Sequence, residues 1–253
     1  MSMPSRARAL RTLPLVFGGA IFLGFWQLAG AAGLFGSSLP ALTDTAMTMV
    51  KRSQLLLDAL RTTLGEAALG YVIGVAIGVG LAGTAATVPW LRAAVERLAA
   101  TINAVPVIVL GPLLIAIMPA SQAPIVIVAF MVFFPLVAAT CTGLGAASRA
   151  HRDLFTSYGA SGGRRFRHLL APAAVPALLD GMRLAVPVAL LGATLGEWFG
   201  SEFGIGPILV SSMQNFDIEL LWAAALTVTL TSLLLYGALT AIVASALRRY
   251  GDV

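Results

Sequence analysis

Four of the polar side chains in or beside the long apolar runs of this sequence are candidates to line a pathway: Asn103, Gln122, Thr194 and Glu197. Such groups can hydrogen-bond to a passing solute, and they suit a pathway better than bond-breaking chemistry. An ionisable side chain near a membrane helix is costly, which makes Glu197 a functional candidate; a structural role near the outer end of its helix, where water reaches, is the equal alternative. Residues that could act on a nucleotide, a metal or an ester are not arranged for it. Lys51 is the single lysine and no Gly-x-x-x-x-Gly-Lys-Ser/Thr occurs, so the chain has no P-loop to cradle phosphates. His151 and His168 lack a cysteine or carboxylate cluster at ligand spacing, which argues against a metal site and reads both as solvated loop residues. Ser161, in GASGG, lacks the strand-turn-helix context of a nucleophile elbow. Cys141 lies inside an apolar run and reads as core packing. The expectation is a transporter or channel subunit without cofactor or metal, and not an enzyme.

The elements that must position these groups follow from composition. Of 253 residues 58% are hydrophobic and 11% charged, with a mean hydropathy of +0.92, whereas soluble domains carry roughly a quarter charged residues. The bilayer is the expected solvent, crossed by helices of about 20 apolar residues because lipid offers no partner to an unpaired backbone amide. The net charge of +5 does not point to nucleic acid, because the basic residues fall in short clusters between apolar runs.

Six spans are predicted, at about 15–36, 64–88, 98–118, 124–144, 177–199 and 220–246. A basic start followed by an apolar run also resembles a signal peptide, but the run is long for one and reads as a retained first span. Leu55, Leu56, Ala59, Leu60 and Leu64 at helical spacing suggest an amphipathic interfacial helix before the second span. Gly70, Gly74 and Gly78 form a smooth stripe for a close helix neighbour. Pro106, Pro112 and Pro135 bend their helices, either to shape a gated pathway or merely to shape packing. Short loops are expected at 89–97 and 200–219.

With six spans both termini share one side with the loops around 89–97 and 145–176. That side holds Arg6, Arg8, Arg11, Arg92, Arg97, Arg149, Arg152, Arg164, Arg165, Arg167, Arg183, Arg248 and Arg249; the other holds Lys51, Arg52 and Arg61. The bias places both termini and the long basic loop in the cytoplasm.

That loop, HRDLFTSYGASGGRRFRHLLAPAAVP, is the longest polar interruption in the chain. Asp153, Gly159 six residues later, then Leu170, Pro172 and Pro176 resemble the cytoplasmic EAA loop of permease subunits of bacterial ABC importers. Gly181, Arg183-Leu184-Ala185 and Glu197, with Pro106, Pro112-Leu113, Phe133-Phe134-Pro135 and Thr140-Cys141-Thr142-Gly143-Leu144 upstream, are similar to the nitrate, sulfonate and taurine branch, which also imports thiamine-precursor pyrimidines. The resemblance covers roughly residues 40–246.

It implies an all-α integral membrane protein of the type I ABC importer permease fold, with about six transmembrane helices in the bacterial cytoplasmic (inner) membrane. Residues 1–36 would be a cytoplasmic tail and first span, and 37–253 the permease core with a coupling loop at 145–176. The implied partners are an ABC ATP-binding subunit, which hydrolyses the ATP, an extracytoplasmic solute-binding protein, and a second permease chain. Asp153, Phe155, Tyr158, Gly159, Arg164, Arg165, Phe166, Arg167, Leu170 and Pro172 would form the ATPase-coupling loop, with Phe155, Tyr158, Phe166 and Leu169 as apolar anchors and Gly159 as the turn between short helices. The cargo would be a small organic solute, sulfonate-like or pyrimidine-like. Three departures stand out: Asp153-Leu154-Phe155 replaces Glu-Ala-Ala, Gly163 stands where related loops often have a large aromatic residue, and Thr63-Leu64-Gly65-Glu66 replaces Ser-Leu-x-Arg before Gly70, a lost positive charge that weakens the argument for an oxyanion cargo. A stand-alone channel or secondary transporter is the alternative.

Overall fold

A computed structural model describes residues 5–250, and all regular structure among them is helical. Eleven helices follow in order: α1 (Ser5–Ala31), α2 (Leu42–Lys51), α3 (Ser53–Thr87), α4 (Pro89–Asn103), α5 (Val107–Ile117), α6 (Ala123–Gly145), α7 (Arg149–Ser157), α8 (Gly162–Arg165), α9 (Ala171–Glu197), α10 (Ile205–Gln214) and α11 (Ile218–Tyr250). A π turn over Phe166–Leu170 joins α8 to α9, so that one helix runs from Gly162 to Glu197. Among the described residues four helices are by themselves long and apolar enough to cross a membrane: Ser53–Thr87, Ala123–Gly145, Gly162–Glu197 and Ile218–Arg248. Residues 1–4 of the expected tail, and the side chains of Arg6, Arg8, Arg11 and Arg249, lie outside what is described.

Several expected boundaries move. Leu55–Leu64 is not a separate interfacial helix but the first turns of α3, since no breaker interrupts the run from Ser53 to Thr87. The expected loop at 89–97 is helical, started by Pro89 at the first turn of α4, where its missing N–H costs nothing. The third span is broken: α4 and α5 meet at 88°. Pro106 fixes its own φ at −62° and disfavours helical geometry at Val105, so the helix cannot continue through it. The fifth span begins at Gly162, which makes half of the basic stretch helical, and α10 occupies the middle of the expected 200–219 loop.

The chain divides into two compact units. The first comprises the described residues up to Leu57 together with Ile208–Thr227. Trp26 and Trp222 stack there with centroids 5.0 Å apart, and their indole N–H groups donate to Pro40 O (3.1 Å) and Ser38 O (3.0 Å), tying the segment before α2 to α1 and α11. Thr48 donates to Glu219 Oε2 at 3.0 Å.

The second unit, Asp58–Pro207 with the chain from Val228 onward, is built around α6, the most enclosed of the spans. Its core includes Val128, Val132 and Leu136 of α6, Ala67 of α3, and Ala185, Ala189 and Ala193 of α9. Close approach comes from small residues. A Cβ at Gly70, Gly74 or Gly78 would collide with α6 at Val128, Ala129 O or Leu136, so the glycine stripe has α6 as its neighbour. Gly181, Gly192 and Gly196 of α9 lie equally close to Ala139, Val128 and Pro124 of α6, while Gly143 of α6 meets Ala174. Prolines 135, 176 and 187 sit inside these helices without breaking them.

Candidate functional site

The basic stretch forms a corner whose local geometry follows from its sequence. Ser148 caps α7, its hydroxyl accepting the His151 N–H at 3.2 Å. Arg152 then reaches back to donate to Gly145 O at 2.8 Å, satisfying a carbonyl left free at the end of α6 and fixing α7 against it. Helix α7 stops at Gly159, whose φ of +61° is left-handed; the Gly159 and Ala160 N–H groups close the turn onto Thr156 O and Phe155 O. Ser161 precedes α8, and Ala171 N–H donates to Phe166 O across the π turn, one residue ahead of Pro172, which has no N–H to give.

Exposure sorts the expected coupling residues. Tyr158 (80% exposed), Leu154 (50%), Asp153, Gly159, Arg164, Arg165, Arg167 and Pro172 face outward, as do His151 and His168. Phe155 is half-buried. Phe166 and Leu169, expected as apolar anchors, are half-buried and pack on the chain's own cluster of Leu144, Leu170 and Ala174. Leu154, one of the departures from the family pattern, adds exposed apolar surface beside them.

Among the four membrane candidates only two meet. Thr194 is buried and donates to Leu190 O at 2.9 Å, and Glu197, one turn on, is 1% exposed. Glu197 therefore does not sit in water at the end of its span. Its Oε2 accepts the Gly206 N–H at 2.6 Å, while Thr63 Oγ1 of α3 accepts the neighbouring Ile205 N–H at 3.0 Å and donates to Ala59 O. Two otherwise unpaired amides at the start of α10 are thus satisfied by side chains from α9 and α3, and a carboxylate there complements the helix dipole. Gly204 and Gly206 let the backbone fold over the carboxyl group; a Cβ at either would run into Glu197. Glu66 of α3 faces Glu197, a contact that sequence reasoning missed because Glu66 reads there only as a lost positive charge. Asn103 and Gln122 are exposed and lie elsewhere. Asn103 ends α4 at the break and lines a cavity of about 220 Å³ with Phe130, Met131, Phe134 and Pro135. No cluster of three or more potential metal ligands occurs among the described residues.

Residues 70–249 match the profile of the binding-protein-dependent transport system inner membrane component family. The chain belongs to that family. A probable ABC transporter permease protein of Haemophilus influenzae is 30% identical over 233 residues, 91% of this chain and 94% of its own length. The formylaminopyrimidine transport permease protein ThiX of Halalkalibacterium halodurans is 28% identical over 203 residues, 79% of this chain and 81% of its own. A crystal structure described as an amino acid ABC transporter with histidines superposes with a TM-score of 0.64 at 15% identity, over 80% of this chain and 97% of that one, and shares the fold. The protein is thus an ABC importer permease, a multi-pass membrane subunit of a family of transport permeases.

Proposed function

We propose that the permease imports a small, uncharged nitrogen heterocycle of the pyrimidine type, driven by an ATP-binding subunit that docks on residues 149–167. In this reading Asp153, Leu154 and Tyr158 lie at the centre of the contact, Gly159 sets the angle between the two short helices, and Arg164, Arg165 and Arg167 form its charged rim. The observation that carries the docking surface is the outward face of α7 and its left-handed turn: an 80% exposed Tyr158 beside Leu154 is apolar surface that a soluble partner can cover. A second permease chain completes the pathway, and a solute-binding protein delivers the cargo from outside.

For the cargo, the break between α4 and α5 supports the reading. Interrupted helices at membrane depth are tolerated where they line a cavity, and this one offers two phenyl rings, a thioether and an amide, with no cationic side chain to hold a sulfonate. The pyrimidine transporter among the relatives points the same way. Uptake into proteoliposomes holding the permease, its ATPase and its binding protein tests both parts. Formylaminopyrimidine should accumulate only with ATP inside, and taurine should not. Uptake by the permease alone without ATP would favour a stand-alone transporter, and taurine uptake would replace the cargo.

A further inference from the structure

The corner of α3, α9 and α10 holds two carboxyl groups with no cation to balance them. Glu66 Oε2 and Glu197 Oε1 are buried, and no hydrogen-bond donor among the described residues reaches either. The two groups lie within hydrogen-bonding reach of each other, and neither counts a lysine, arginine or histidine among its partners. Arg61, five residues before Glu66 on α3 and on another face, is engaged outward with Asp58 at 2.8 Å. The remaining neighbours of Glu197 are Thr63 and the Ile205 and Gly206 amides, and Thr63 already spends its proton on Ala59 O.

Two ionised carboxylates are acceptors only, so neither can satisfy the other. At contact in a site removed from water, two like charges cannot both be retained. We propose that Glu66 and Glu197 share one proton and form a proton-binding site inside the membrane domain. The proton resides on Glu66 and is donated to Glu197 Oε1, which satisfies both unpaired oxygens at once. Glu197 stays ionised, with Oε2 on the Gly206 amide and its charge against the positive end of α10. The bridge joins α3 to the α9–α10 corner; removing the proton would set the two helices repelling each other at the point where α10 begins. This site is independent of the transported solute.

Infrared spectroscopy of the full chain in nanodiscs tests the inference. At neutral pH the wild type should show the C=O stretch of a protonated carboxyl group, shifted by deuterium exchange. Glu66→Gln and Glu197→Gln should each lose that band. Glu66→Gln places an amide donor where the proton was, so it should unfold at the wild-type temperature, whereas Glu66→Ala, which leaves Glu197 Oε1 without a donor, should unfold lower. Absence of the band from the wild type would overturn the proposal, and so would its survival in both glutamine variants. If the wild type lacks the band but is stabilised by sodium or potassium over an organic cation of equal ionic strength, an alkali ion balances the pair and the shared proton is wrong. Should one glutamine variant fail to fold, the wild-type band and the other variant still decide.

Discussion

Tyr158 and Gly159 make opposite contributions within one turn. Tyr158 offers surface and is expected to act only through a partner, so Tyr158→Ala should leave insertion and thermal unfolding of the isolated chain unchanged. A central aromatic anchor is worth about 2 kcal/mol or more, so ATP-driven uptake in proteoliposomes should fall more than about 10-fold. Gly159 contributes backbone freedom. At φ +61° an alanine costs about 1–2 kcal/mol and a proline cannot adopt the conformation, so Gly159→Ala should weaken coupled uptake and Gly159→Pro abolish it, with both variants still inserted in the membrane. Normal uptake by Gly159→Pro would remove the turn from the coupling mechanism. Asn103 is the polar group of the cavity at the helix break, and losing its amide should lower heterocycle uptake by about 10-fold, the equivalent of one hydrogen bond of roughly 1.4 kcal/mol. The outward placement of Tyr158 and the turn at Gly159 were legible because polar flanks and the first glycine of GASGG mark them. That Phe166 also packs on Leu144, Leu170 and Ala174 was not legible, because aromatic character alone does not say which side of a helix faces the protein.

Among elements, α6 is held on two sides by glycine faces. Gly74→Leu drives a side chain into Ala129 O and Val132 of α6, and overpacking of this kind costs about 1–3 kcal/mol; the midpoint of thermal unfolding in detergent should fall accordingly. The four-residue spacing of Gly70, Gly74 and Gly78 announced a helix neighbour but not which one, since any small-residue face would serve. Proline effects were legible only in kind. Pro106 breaks a span into two helices at 88°, whereas Pro135, Pro176 and Pro187 are absorbed within continuous helices. The difference lies in the neighbourhood. α6 and α9 are clamped along their length by close contacts with each other, and α5 is largely exposed, so nothing forces its chain to remain straight.

For the whole molecule the uneven distribution of arginine predicts which side each loop faces. In a Cys141→Ala background, Ser157→Cys on α7 should react with a membrane-impermeant thiol reagent only from the cytoplasmic side. Phe216→Cys, at an 84% exposed position between α10 and α11, should react only from the opposite side. Reaction of both from one side would reverse the topology argument. Continuous apolar runs of about 20 residues by themselves determined an all-helical membrane protein, because lipid admits only helices and closed barrels, and barrel strands are half as long and alternate apolar with polar residues. The Gly and Pro spacing of the basic loop carried the resemblance to the family that the profile over residues 70–249 shows. The tertiary structure alone decided that Glu66 meets Glu197, that the amides of Ile205 and Gly206 are satisfied by Thr63 and Glu197, and that the glycine stripe faces α6. These contacts join segments more than a hundred residues apart, depend on how a short loop folds back on its helix, or depend on how far a helix is rotated, and helical periodicity fixes which residues share a face but not what that face meets.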